Sequence, residues 1–216
     1  MLDNVLSEYG AKVADKLVVV PNRVDLTKFN VVKSNYDVGT KLKIITVGRF
    51  SPLKNHINLI NDLFSSGIEF CLTVVGGGDL KQDYCKLFEY YKKTDDLIVY
   101  ENITHEELAA ILPCCDIYVH YSLSEGVPRA ILEAMSCGLP VITTNVGYLK
   151  GVVVNGVNGI IIEQPYKYGL HSELRKLSSS VSCRKKIGTN ARQYIEANNE
   201  WNYVFSLYRK TVFGCD

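Results

Sequence analysis

Apolar and polar positions along the chain fall into alternating strand-like and helix-like stretches. Short apolar runs rich in β-branched residues read as strands at Lys41–Val47, Glu69–Val75, Leu97–Tyr100, Asp116–His120, Pro140–Thr144 and Gly159–Ile162. Helices read between them at about Asn55–Ser66, Leu80–Lys92, His105–Leu112 and Pro128–Cys137, with two or three more after Tyr166. Strands alternating with helices predict the α/β class, as a doubly wound, mostly parallel sheet with helices on both faces. Right-handed crossovers then put a ligand beyond the C-terminal ends of the strands. Gly48, the run Gly76 to Gly78 and the loop Tyr121 to Gly126 fall at those ends.

A chain of 216 residues suits one compact domain over 1–216, burying roughly 70% of the unfolded surface. Residues 1–30 read as a lead-in and hinge-like segment with a short helix at Leu2–Tyr9, and about 200–213 as a terminal helix. Hydrophobic content of 47% with 22% charged residues is ordinary for a soluble α/β protein, and a net charge of +1 argues against electrostatic binding of nucleic acid. Apolar runs such as Leu17–Val20 and Ile160–Ile162 are strand-sized, so no transmembrane segment or signal peptide is expected. Seven cysteines without regular spacing fit a reducing compartment, and a cytoplasmic location is expected, with peripheral association at a membrane left open. Cys71 and Cys137 read as small core residues.

The candidate chemistry concentrates in SLSEGVPRAILEAMSCGLPVI (Ser122–Ile142), where two glutamates lie eight residues apart across a loop-to-helix junction. Pro128 reads as the first helical residue, Gly138 as the stop, and Glu133 falls on the second turn. Glu125 lies in the preceding loop, beside a helix N-terminus whose free N–H groups favour anions such as a diphosphate. Taken alone, Glu125 would be a helix cap and Glu133 part of a solvated face. The second stretch is KLKIITVGRFSPLKNH (Lys41–His56), a strand ending at Gly48 followed by a loop that carries Arg49 and Lys54. A guanidinium fork beside a compact ammonium suits phosphate oxygens.

Together these stretches closely resemble the donor-site signature of the retaining glycosyltransferases of family 4, which have the GT-B fold and use nucleotide-activated sugars. The resemblance implies a hexosyltransferase-type reaction and a donor site made of Gly48, Arg49, Lys54, Glu125, Gly126, Val127, Pro128, Arg129, Ala130 and Glu133. It gives Glu125 to the donor sugar and Glu133 to the ribose, and sets Arg49 and Lys54 on the diphosphate, where they stabilise the leaving group; Glu125, Arg49 and Lys54 are the catalytic candidates. An ionised carboxylate, which only accepts, can take two neighbouring hydroxyl protons. KLVVVPNRVD (Lys16–Asp25), followed by Phe29, resembles the segment that opens the C-terminal half of such enzymes, so the acceptor-binding N-terminal half is expected to be missing or supplied by a partner chain. Implied ligands are a nucleoside-diphosphate sugar as donor and a glycan or lipid-linked acceptor, with no cofactor and no metal. The chain shows no Asp-x-Asp pair, and Asp95-Asp96 is adjacent rather than spaced. Polysaccharide biosynthesis is the implied setting. A non-catalytic nucleotide-sugar-binding module, a subunit of a split transferase and a nucleotide-sugar epimerase of the same fold remain open.

Other features carry less. Gly76, Gly77 and Gly78 fail the G-x-G-x-x-G pattern because Lys81 occupies the third glycine's place, and no P-loop occurs. His56, His105, His120 and His171 lack metal-ligand spacing and read as satisfied structural residues. Asn155–Gly159 reads as a turn with left-handed positions. Trp201, Tyr203, Phe205 and Tyr208 would pack the terminal helix, or lie exposed if that helix covers a domain outside this chain. Three departures from the family pattern are Gly147-Tyr148 followed by Gly151, where two glycines are common; Asn102, where glycine is frequent; and Pro128, which removes a backbone donor.

Overall fold

The computed structural model describes residues 7–8, 10, 20–30, 41–78, 82–164 and 166–214. Six strands form one parallel sheet: β1 (Leu42–Val47), β2 (Phe70–Gly76), β3 (Leu97–Glu101), β4 (Ile117–His120), β5 (Val141–Thr144) and β6 (Ile160–Ile162). Each lies within one residue of the bounds expected from the sequence. Their order is β3-β2-β1-β4-β5-β6. The chain leaves β1 toward one edge and returns to β4 on its other side, which makes the gap between β1 and β4 the point where the winding reverses.

Side chains of a strand alternate between the two faces of the sheet, and both faces are covered. Leu42, Ile44, Ile117, Val119 and Ile142 enter one core with α1 (His56–Phe64), α2 (Gln82–Lys92) and α5 (Tyr166–Ser179). Ile45, Tyr118 and Val141 enter the other, with α3 (His105–Ile111), α4 (Arg129–Ser136) and α6 (Val181–Asn198). A terminal helix α7 (Trp201–Phe213) completes the described elements. Trp201, Tyr203, Phe205 and Tyr208 are exposed on it, while Val204 is buried.

Three short 3-10 turns, Pro52–Lys54, Leu112–Cys114 and Leu149–Gly151, were not legible in the sequence. Of the lead-in helix expected at 2–9, only Ser7 and Glu8 are described, and both are helical. Lys81 and the start of the helix expected from Leu80 lie outside the described residues. The segment 20–30 is fixed against the C-terminal helices. Val24 N–H donates to Asn199 O at 2.8 Å, Arg192 Nη1 to Phe29 O at 3.0 Å, and Phe29 is buried. Among the described residues, no helix is long and apolar enough to cross a membrane.

Candidate functional site

The strand ends on either side of the reversal point carry the candidate residues. After β1, Gly48 N–H donates to Val75 O at 2.9 Å and Phe50 N–H to Gly77 O at 2.9 Å, which ties this loop to the glycine run after β2. A Cβ on Gly76 would lie 2.5 Å from Gly48 O, so only glycine lets the two loops approach this closely. Asn102, at the end of β3, holds φ +55°, a conformation that explains why glycine suits the position, and its N–H donates to Gly76 O at 2.8 Å. The loop after β1 becomes the 3-10 turn that ends in Lys54. Its Leu53 O accepts from Leu123 N–H at 2.8 Å, joining the β1 and β4 loops across the reversal point.

At the end of β4, the Glu125 carboxylate takes hydrogen bonds on one oxygen, Oε1, from Lys54 Nζ and from His120 Nε2, the latter at 2.9 Å. Burial alone would raise this carboxyl, but hydrogen bonds from His120, Lys54 and Ser122 outweigh burial and hold it at about 2. Burial lowers His120 and outweighs the opposing pull of Glu125, so the ring is neutral at physiological pH. Because Nε2 faces a carboxylate, the proton sits on Nε2, leaving Nδ1 to accept from Tyr118 Oη at 3.3 Å. Glu125 therefore does not cap α4.

Glu133 is in the opposite state. It is 6% exposed as a residue; its carboxylate takes no hydrogen bond from any described residue, and its oxygens are still reached by solvent. Burial raises its pKa, against weaker opposing charge from His105, Arg129 and Lys28. The solvated-face reading of Glu133 is thus wrong. Tyr118, fully buried, is pushed up by burial and then by the charges of Glu133 and Glu125, so both carboxylates lie within electrostatic reach of one hydroxyl.

Pro128 corrects the sequence reading. It is the N-cap in extended conformation (φ −70°, ψ 131°), and the helix begins at Arg129. The C-terminus is as expected. Gly138 is left-handed, its N–H bonds to Met135 O at 3.0 Å, and Leu139 N–H bonds to Ala134 O at 3.1 Å, a Schellman stop. Val127 O accepts from Asn22 Nδ2 at 2.7 Å, tethering the loop to the segment 20–30. Gly126 and Arg129 are exposed and Ala130 is half-buried. Gly147, after β5, supports the same loop from beneath: it holds φ +59°, and a Cβ there would sit 1.8 Å from Glu125 O.

Arg49 is exposed and makes no hydrogen bond or ion pair with any described residue, whereas Lys54 is engaged with Glu125. The structure thus brings Lys54 and Glu125 into contact, with Arg49 next to Gly48 in the same loop. His120 was missed as a site residue; the available signal was a polar side chain closing a strand of apolar residues five positions before Glu125. His171 donates from Nε2 to Asp62 O at 2.7 Å and is the satisfied residue expected. His56 is not satisfied: it is buried, burial holds it to about 3, and Nδ1 has no hydrogen-bond partner among the described residues. A cleft of about 420 Å³ beside β6, lined by Gly169, Lys176 and Ile187, contains none of the candidate residues.

Residues 29–194 match the family described as "Glycosyl transferases group 1". The chain belongs to that family. A relative of this group 1 chain is the UDP-Gal:alpha-D-GlcNAc-diphosphoundecaprenol alpha-1,3-galactosyltransferase of Escherichia coli, 31% identical over a 167-residue alignment that covers 68% of this chain and 41% of the relative. The group 1 chain spans only 41% to 44% of the length of the first curated relatives. Among solved structures, Anabaena HepE in complex with UDP and glucose superposes with a TM-score of 0.84 at 21% identity, covering 99% of this chain and 61% of that one. The C-terminal domain of the group 1 protein LpcC from Francisella tularensis superposes with a TM-score of 0.71 at 23% identity, covering 82% of this chain and 99% of that one. At these identities the group 1 chain shares their fold.

Proposed function

We propose that this group 1 glycosyl transferase chain is the donor-binding half of a retaining enzyme that takes a sugar from a nucleoside diphosphate and passes it to a glycan or lipid-linked acceptor. The observation that carries the reading is Glu133. Its side chain is largely buried, yet its carboxylate has no donor among the described residues and its oxygens are not sealed from solvent, so hydroxyl groups of a bound ribose can reach them and supply hydrogen bonds. Arg49, exposed and without a partner among the described residues, offers a guanidinium suited to a diphosphate. Support for the half-enzyme reading comes from the near-complete cover of the LpcC C-terminal domain. The E. coli relative, by its name, uses a nucleoside-diphosphate sugar and a lipid-linked acceptor.

In this reading the bond between the anomeric carbon and the diphosphate breaks. The acceptor oxygen bonds the carbon and its proton passes to a phosphate oxygen of the departing nucleoside diphosphate, whose remaining charge Arg49 and Lys54 stabilise. These two side chains do the work that a divalent ion does elsewhere, so no metal is required and chelator should leave binding unchanged. Titration calorimetry with uridine, guanosine and adenosine diphosphates tests the assignment. One of them is expected to bind, and Glu133→Gln should weaken it by roughly tenfold, the loss of about one charged hydrogen bond. Absence of binding by all three would overturn it.

A further inference from the structure

Resting on the donor-site reading, we propose that Lys54 exchanges partners, leaving Glu125 for the diphosphate when a nucleotide sugar binds, and that His120 is the positioning residue that keeps Glu125 aimed at the sugar after Lys54 has gone. Lys54 Nζ and His120 Nε2 share a single oxygen of Glu125, while the neighbouring cation, Arg49, has no partner among the described residues. An incoming diphosphate offers several anionic oxygens between two cations, of which only Lys54 must first give up a charged partner.

Lys54 is built to move. It is the last residue of the 3-10 turn, and its stem runs over Gly48, with Cδ 3.3 Å from where a Cβ would stand. The missing side chain at Gly48 leaves the stem room to swing. Once Lys54 departs, Oε1 regains acceptor capacity for a sugar hydroxyl, and His120 still donates to it. His120 is itself held on both sides, by Tyr118 Oη at Nδ1 (3.3 Å) and by Ser122 Oγ near Nε2 (3.0 Å). A bare nucleoside diphosphate strips Lys54 from Glu125 and gives nothing back, whereas a nucleotide sugar compensates Glu125 with its hydroxyls. The site therefore favours donor over spent nucleotide, and return of Lys54 to Glu125 helps product leave.

The test is a double-mutant cycle on the full chain. Affinities for uridine, guanosine and adenosine diphosphates and for UDP-glucose, GDP-mannose and ADP-glucose are measured by calorimetry in the wild type, Glu125→Gln, Lys54→Ala and the double variant. Glu125→Gln is expected to bind the bare diphosphate about tenfold tighter than the wild type, because Lys54 is released, and the gain should vanish in the Lys54→Ala background. An unchanged or weaker affinity in Glu125→Gln overturns the exchange. So does a gain that persists without Lys54, which would be simple removal of a repulsive charge. For His120, the ratio of nucleotide-sugar to bare-diphosphate affinity should fall about tenfold in His120→Ala and recover in His120→Gln, whose amide can still donate. Equal loss for both ligands, without recovery, would make His120 merely structural. If a variant does not fold, the chemical shift of the Lys54 ε-methylene in the wild type reports the same exchange: it should move on adding the bare diphosphate, and no movement overturns the proposal. Failure of the wild type to bind any diphosphate is a different result, since it removes the donor site itself.

Discussion

The α-carbon of Gly147 lies so close beneath the loop after β4 that a Cβ on it would stand 1.8 Å from the carbonyl oxygen of Glu125. Two loops from neighbouring strands are in backbone contact there, and the left-handed φ of +59° adds a second demand for glycine. Gly147→Ala must therefore displace the segment Glu125–Gly126 or strain its own backbone. The variant is expected to lose about 1 kcal/mol or more of stability and to bind a nucleotide sugar at least tenfold more weakly, since small misplacements of a positioning group are expensive. Melting temperature and calorimetric affinity check both, and wild-type affinity in a folded variant would detach Glu125 from the sugar.

Arg49 and Lys54 should differ in stability while agreeing in binding. On the donor-site reading, each replaced by alanine would lose a charged hydrogen bond to phosphate and should weaken nucleotide binding about ten- to a hundredfold. Arg49 has no partner among the described residues, so Arg49→Ala should melt with the wild type. Lys54→Ala leaves Glu125 with one donor fewer in a partly buried site and should melt a few degrees lower, about 2–4 °C per kcal/mol for a chain of this size. Equal melting temperatures would show that the Lys54–Glu125 contact contributes nothing in the unliganded protein.

The two glutamates should respond to pH with opposite sign. Glu125 is held down to about 2, so its contribution is present above the unfolded carboxyl pKa of about 4.3 and is lost as pH falls toward 2. Glu133 is raised by burial, so its cost to stability builds as pH rises from the unfolded carboxyl value of about 4.3 through the raised folded value, is fully present above that, and disappears below the unfolded value. Thermal melts of Glu125→Gln should lie below the wild type near neutrality and converge with it in acid. Those of Glu133→Gln should lie above the wild type near neutrality, and that gain should also fade in acid. A stabilising Glu125→Gln or a destabilising Glu133→Gln near neutrality would contradict the hydrogen bonding described.

Transfer is expected to need more protein than these 216 residues. On the proposed half-enzyme reading the acceptor side is not part of these residues, so positioning worth roughly 7–11 kcal/mol of barrier in well-oriented systems would not be supplied by them, and leaving-group stabilisation would weaken in an open, wet site. The chain should bind donor and hydrolyse it slowly at most. An assay with a panel of nucleotide sugars and acceptors checks this, and robust transfer with retained anomeric configuration by the chain alone would refute it.

Local pattern determined most of the fold. The β-branched runs located all six strands to within a residue because burial on both faces of a parallel sheet leaves an almost continuous apolar signature. Gly138 marked the end of α4 because only a left-handed residue closes that turn without strain. The family-like strings marked Arg49, Lys54, Glu125 and Glu133 as candidates. They did not show that Lys54 and Glu125, 71 residues apart, would touch, because that contact depends on β4 returning beside β1 after the chain has wound through β2 and β3. Pro128 looked like a first helical residue because a fixed φ suits either side of the helix boundary, and only ψ distinguishes cap from helix. Nor could spacing separate a carboxylate held ionised from one without a donor among the described residues, since the donors to Glu125 are placed by the fold, Lys54 from the loop after β1 and His120 from the end of β4. The sequence by itself determined where the chain turns and which candidate residues follow the C-terminal ends of the strands; the tertiary structure decided which of them meet, and so the charge and partner of each.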